Sequence, residues 1–340
     1  MRFLALALPW LMLWGCGGGV FPVYHDWWWG ELGAPRGRGE LRVRWFRSLV
    51  SAWEGAYVPV EAAPPLFDEK RGRLYVGTSR GELWAITFSG TPLWVYLVSG
   101  GVSAQAALSP DGEVLYFGSD DGFLYALEAQ GGKLKWRTEL RGALANTPLV
   151  TEDALFVVTV NDTVEAFDRK KGEVLWRYER PLPEGFSVTG HAGLLWRDGR
   201  LITAFTDGAI VAFDPSDGRR YWVRESAADL PPLERPGIFR PLDADATPVY
   251  FGGLLYAASY SGGLYALEPS NGSVRWLRKE YTGVVGIAAA PGERLILASS
   301  EGGLICVRAK DGEMVWKVQV KRGSPGIPLV LGDKVLYTES

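Results

Sequence analysis

The chain has 340 residues, 47% hydrophobic and 22% charged, a globular balance that excludes a disordered or collagen-like polymer. Thirty-six basic against 39 acidic residues leave a net charge of -3, so no global field draws in nucleic acid. Two Cys and two His exclude a disulfide framework and a Cys- or His-rich metal centre, whereas 15 Trp demand a structural role.

Residues 1–14 read as an export signal: one charge at Arg2, then an apolar run that contains Pro9 and is too short to span a bilayer. Leu13-Trp14-Gly15-Cys16 follows, and Leu13, Gly15 and Cys16 resemble the bacterial lipobox. The resemblance implies a signal peptide of residues 1–15 and lipidation of Cys16. With Gly17 rather than Asp behind the Cys, it implies sorting to an outer membrane, facing the periplasm. Residues 16–38 then form a linker, and 39–340 the folded domain. No later stretch is long and apolar enough for a transmembrane helix. Cys306 has no partner in the mature chain, so no disulfide is expected.

Downstream, a pattern repeats: Ala, an acid two residues on, Gly four further and Trp four further. It occurs at Ala126/Glu128/Gly132/Trp136, Ala166/Asp168/Gly172/Trp176, Ala212/Asp214/Gly218/Trp222 and Ala266/Glu268/Gly272/Trp276. Cys306/Arg308/Gly312/Trp316 is a degenerate copy, Ala85 to Trp94 is one residue shorter, and Trp45 ends what looks like another. Successive Trp stand 49, 42, 40, 46, 54 and 40 residues apart. A unit of about 40 residues with four short strands is a propeller blade. Strand A follows segments such as Thr147-Pro-Leu-Val150, and strand B is the Leu115-Tyr-Phe-Gly118 type. Turns such as Ser119-Asp-Asp-Gly122 lead into strand C, Leu-Tyr-Ala-Leu, and the repeat Gly turns the chain into strand D. Ala on strand C leaves room for a ring. Trp45, Trp94, Trp136, Trp176, Trp222, Trp276 and Trp316 are therefore expected to lie flat against a neighbouring blade, each N–H on a carbonyl.

Six complete blades are predicted, at about 58–97, 103–139, 146–180, 188–225, 245–280 and 284–320. After residue 321 only strands A (326–331) and B (334–338) remain. Residues 27–32 and 41–46 could supply strands C and D. The expected fold is all-β: a seven-bladed propeller of four-stranded antiparallel blades whose closing blade is shared between the termini, with eight blades the alternative. Trp27, Trp28 and Trp29, with Tyr24, could instead sit at the membrane interface beside the lipid.

The Ala-x-Asp/Glu-x-x-x-Gly-x-x-x-Trp spacing resembles the repeat of pyrroloquinoline-quinone (PQQ) enzymes and their non-catalytic relatives, over about residues 39–340. A lipoprotein built almost wholly of such repeats is similar to the BamB-type subunit of the outer-membrane β-barrel assembly machinery. That family usually has eight blades, where seven are counted here. The resemblance implies a lipid-anchored, non-catalytic scaffold that binds envelope proteins and carries no cofactor; a monomer is expected. The quinoprotein alternative implies PQQ and Ca²⁺ over a pair of adjacent cysteines. Cys16 and Cys306 are far apart in the sequence, and Asp243-Ala-Asp245 is a weak calcium pattern. A ligand-binding sensor using the central funnel is a third option. No nucleophile elbow, phosphate loop or zinc motif occurs, so no catalytic residue and no metal ligand is assigned.

After the first complete blade, two units are longer than the rest, which places insertions before strand A at 180–190 and 226–244. Phe186, Leu230, Leu233, Ile238, Phe239 and Arg240 lie on these Pro-rich loops and are the candidate partner contacts. The same loops could instead fold down over the blade tops. Gln105, Asn146, His191 and Asp245 stand at the starts of strand A and are expected at the funnel mouth as a hydrogen-bonded polar lining, with a ligand or base role for His191 the alternative. Cys306 reads as a small buried hydrophobe. If residues 26–44 complete the closing blade, their deletion lowers the melting temperature sharply; an unchanged thermal melt would sink the shared blade.

Overall fold

The computed structural model describes residues 63–183, 191–231, 240–320 and 323–338, together with Leu49. Six four-stranded antiparallel meanders follow one another at 66–97, 107–139, 149–179, 195–225, 249–278 and 284–318, each in the order A-B-C-D. A two-stranded hairpin at 329–331 and 334–336 comes last. We call these blades one to six and the terminal hairpin. Among the described residues the one helical turn is the 3-10 segment Ser226–Asp229. Cys16, Trp27–Trp29 and Trp45 lie outside the described residues. Strand bounds differ from expectation mostly at strand A. In blade three it is only Leu149–Val150, starting after Pro148, whose missing N–H cannot join a ladder.

Strands B and C are apolar at successive rather than alternate positions, as in Ala154–Val158 (ALFVV) and Ala209–Phe213 (AIVAF). Blades two to six each stand between two other sheets, so both faces of the pleat need apolar cover. Strand D is largely exposed, as in Leu134–Glu139. The core is accordingly divided into layers between blades. One layer joins Tyr75 and Leu83 of blade one to Leu115, Phe117 and Tyr125 of blade two, and the next four repeat the arrangement. The last ties Ile296 and Cys306 of blade six to Val330 and Val335 of the hairpin.

One local device recurs at the junctions. Ala126 faces Trp136 across the C–D pair, as Ala85 faces Trp94, Ala166 Trp176, Ala212 Trp222, Ala266 Trp276 and Cys306 Trp316. A register shift follows each pair, and such a bulge re-aims the indole beside it. The ring then meets the repeat Gly of the next blade. A Cβ on Gly132 would stand 2.7 Å from the Trp94 ring, and one on Gly218 2.6 Å from Trp176. Gly172 and Gly272 meet Trp136 and Trp222 in the same way. These glycines also hold φ near +70°, a left-handed conformation open to Gly. Trp94, Trp176 and Trp222 donate their indole N–H to the carbonyls of Gln130, Pro215 and Pro269 at 3.1, 2.8 and 3.0 Å, in the same turns. Trp276 packs on Gly312, but its N–H is buried without an acceptor.

The acid of the repeat shapes the turn beneath the ring. Asp168 Oδ1 accepts from the N–H groups of Lys170 and Lys171. Asp214 Oδ1 accepts from the hydroxyl and N–H of Ser216, which holds its carboxyl down at about 2. A second tie escapes the repeat pattern. Tyr75, Tyr116 and Tyr256 on strand B donate their hydroxyls one blade ahead, to the carbonyls of Ala129, Arg169 and Ala309 at 3.1, 3.1 and 2.8 Å. Burial pushes the Tyr116 and Tyr256 hydroxyls up to about 12. Leu-Tyr near the head of strand B is their sequence signal.

Two glycines with the same backbone strain separate the packing contribution. Gly122 has φ 84° and open space where a Cβ would go, whereas Gly218 has φ 73° and the Trp176 ring there. Gly122→Ala should cost about 1 kcal/mol from conformation alone. Gly218→Ala should cost roughly 3 kcal/mol, because the indole must also move. Urea denaturation of both variants measures the difference; equal losses would remove the ring from the account.

Candidate partner-binding rim

The D-to-A crossovers and the B–C turns lie at one end of the blades, held together by the backbone. Val102 N–H donates to Thr78 O in blade one, and Asp120 N–H of blade two to Gly101 O. Ala244 N–H donates to Phe205 O of blade four, and Tyr260 N–H of blade five to Asp243 O. Each of these crossovers is thus stitched to the B–C turns of both blades it links. The crossovers that follow Glu179 and Glu225 therefore leave the blades at the same end as the Asp/Ser/Gly turns.

Charged hubs fasten the roots of both insertions. Arg180 at the end of blade three pairs with Asp207 of a blade-four turn and with Glu225 at 2.8 Å, and it lies over the Phe205 ring. Burial opposes its charge, yet the hydrogen bonds to Glu225 and Asp207 hold its guanidinium above the ordinary value. In the second insertion Asp229 pairs with Arg224, accepts the Tyr265 hydroxyl at 3.1 Å, and offers its carbonyl to Lys279 Nζ at 2.6 Å. Leu230 and Arg240 are half-buried, and Arg240 donates to Pro231 O at 2.7 Å across the base of the loop. Phe186, Leu233, Ile238 and Phe239 lie outside the described residues.

Near the central axis the polar residues tie blades to one another. Gln105 Nε2 donates to Pro65 O at 2.8 Å, and Thr147 Oγ1 to Gln105 Oε1 at 3.3 Å. Asn146 Nδ2 donates to His191 O at 3.0 Å, and Gly193 N–H to Thr247 Oγ1 at 2.7 Å. The belt runs from blade one to blade five, and Gln105 and Asn146 spend their amides in it.

His191 and Asp245 belong to a different group. His191 Nδ1 lies 3.6 Å from Asp162 Oδ1, and Asp162 Oδ2 accepts from the N–H and hydroxyl of Thr206. Asp243 and Asp245, on the crossover into blade five, are both buried. Neither oxygen of Asp245 has a hydrogen-bond partner. Burial, then the Asp243 carboxylate, push its carboxyl up to about 7 against the opposing influence of His191; Asp162 adds to the rise. Asp162 escaped the sequence pattern. It holds φ 53° where the corresponding turns of blades one, two and four have Gly81, Gly122 and Gly208. Asn161-Asp162-Thr163 in place of a Gly turn is the signal that marks it.

The repeat family also includes quinone enzymes, and the cofactor site can be tested on the residues present. Cys306 is buried in strand C of blade six, opposite Ile296 and Trp316, and cannot join a vicinal cysteine pair beneath a quinone. Among the described residues the vicinal cysteine pair of such a site is therefore not supplied. Replacing Arg180 with Gln strands Asp207 and Glu225. Because Glu225 is half exposed, the loss should be about 2 kcal/mol rather than that of a fully buried pair. A change below about 0.5 kcal/mol in urea denaturation would show that Arg180 does not fasten the rim.

Comparison with known proteins bears on the chain as a whole. Over 179 residues it is 29% identical to the outer membrane protein assembly factor BamB of Shewanella oneidensis, covering 53% of this chain and 44% of that protein. Over 250 residues it is 28% identical to BamB of Alteromonas naphthalenivorans, covering 70% and 59%. The chain thus spans about half the length of the curated relatives it matches. The crystal structure of BamB from Moraxella catarrhalis has the same propeller fold, with a TM-score of 0.72 at 23% identity over 83% of each chain. A family model described as outer membrane protein assembly factor BamB matches residues 97–318, from the end of blade one to the end of blade six, and the chain belongs to that family.

Proposed function

We propose that the chain is a non-catalytic scaffold of the bacterial envelope that holds a partner in outer-membrane β-barrel assembly. The observation that carries this reading is the rim: the roots of two Pro-rich insertions share one end of the blades and are fastened by the Arg180 and Asp229 hubs. Rigid roots under apolar loop residues reduce the ordering cost of binding. The relatives' description as assembly factors supports the same class of partner. Leu230 and Arg240, with Phe186, Leu233, Ile238 and Phe239, are the proposed contacts. Lipidation of Cys16 tethers the propeller to the outer membrane with the rim facing the periplasm. The protein acts as a monomer and needs no cofactor.

The ring closes as seven blades, the last shared between the termini. The terminal hairpin has only two strands, and its Ile327, Leu329 and Leu331 are exposed by half or more. Residues that precede blade one are in position in the sequence to cover them.

Affinity capture from detergent-solubilised envelopes tests the scaffold. The tagged chain should retain β-barrel assembly components, and a Leu230→Asp/Arg240→Glu variant should lose most of them while keeping its thermal melt. Equal retention by the variant, or no such component with the parent chain, overturns the proposal.

A further inference from the structure

We propose that Asp245 keeps its proton well above the pH at which an exposed carboxyl ionises, and that losing this proton loosens the junction of blades three, four and five beneath the rim. The inference concerns the propeller itself and does not depend on a partner.

The geometry leaves little else. Asp245 is 8% exposed and neither of its carboxylate oxygens is hydrogen-bonded. The charged groups that act on it are Asp243 from its own crossover, Asp162 from the B–C turn of blade three, and His191 from the start of blade four. Two of the three are acidic. His191 already faces Asp162 at 3.6 Å. Arg180, the cation of the adjoining turn, is taken by Asp207 and Glu225. Among the described residues no three His, Cys, Asp or Glu side chains are grouped closely enough to hold a metal ion. A buried carboxylate without donors, beside like charges, is relieved most simply by a proton.

Ionisation would be felt where the blades are joined. Asp162 accepts from the Thr206 N–H of blade four, and Ala244 N–H, next to Asp245, donates to Phe205 O. A new charge at Asp245 repels Asp162 and Asp243 and strains both links.

The sign of the effect follows from a carboxyl raised to about 7 in the folded protein. The unfolded chain loses the same proton near pH 4. Stability from this group is therefore fully present below about pH 4, falls as the pH rises towards 7, and is level above that. Carbon-13 NMR of the Asp side-chain carboxyls, with Asp245 assigned by Asp245→Asn or through its backbone amide, should show a midpoint near neutrality. Asp243→Asn should lower that midpoint. The melting temperature of Asp245→Asn should match the parent near pH 4.5 and exceed it by several degrees at pH 8. Protection of the Thr206 and Ala244 amides, corrected for intrinsic exchange, should fall over the same range only in the parent. An Asp245 carboxyl already ionised at pH 5, or a melting difference that does not vary with pH, overturns the proposal. A midpoint that drops on adding millimolar Ca²⁺ would put a cation there instead and overturns it equally.

Discussion

The contact on which the structure depends is an indole laid on a glycine. The ring leaves no space for a Cβ beneath it, and the turn beneath it needs a positive φ, so the two demands fall on one residue. Ala opposite each Trp and the register shift after it serve the same contact from the other side. A single blade is a four-stranded meander with two apolar faces and cannot stand alone. The indole fixes how far and at what angle the next blade sits, and so makes burial of both faces possible.

Once the junctions are set, the polar groups sort themselves. Tyr75, Tyr116 and Tyr256 add a hydroxyl tie alongside the indole. At the heads of the strands A, Gln105, Asn146 and Thr147 link successive blades into a hydrogen-bonded belt. Buried acids are met by donors: Glu165 by Arg177 and the Arg141 N–H, Asp162 by Thr206. Asp245 departs from that rule, and it sits at the foot of the longer insertion. Loops bear the variation here because the blade junctions tolerate so little.

The described polar and thiol groups serve the fold itself. Cys306 is spent in the core, and the Arg180 and Asp229 hubs hold charge in place to brace loops. Under the proposed role, fixed roots beneath the crossovers lower the ordering cost of meeting a partner.

Local pattern alone determined the all-β class, the repeat and the places of Trp94, Trp136, Trp176, Trp222 and Trp276, because Ala, acid, Gly and Trp meet at fixed spacing within a single C–D hairpin. The long crossovers were legible as surplus length before strand A of blades four and five. What the tertiary structure decided is what each side chain meets across blades. Gln105 and Asn146 became ties, Asp162 took a glycine's place facing His191, and Asp245 was left buried without a donor. These partners lie 29 to 45 residues apart in the chain, and no local spacing carries a contact made only when one blade settles on the next.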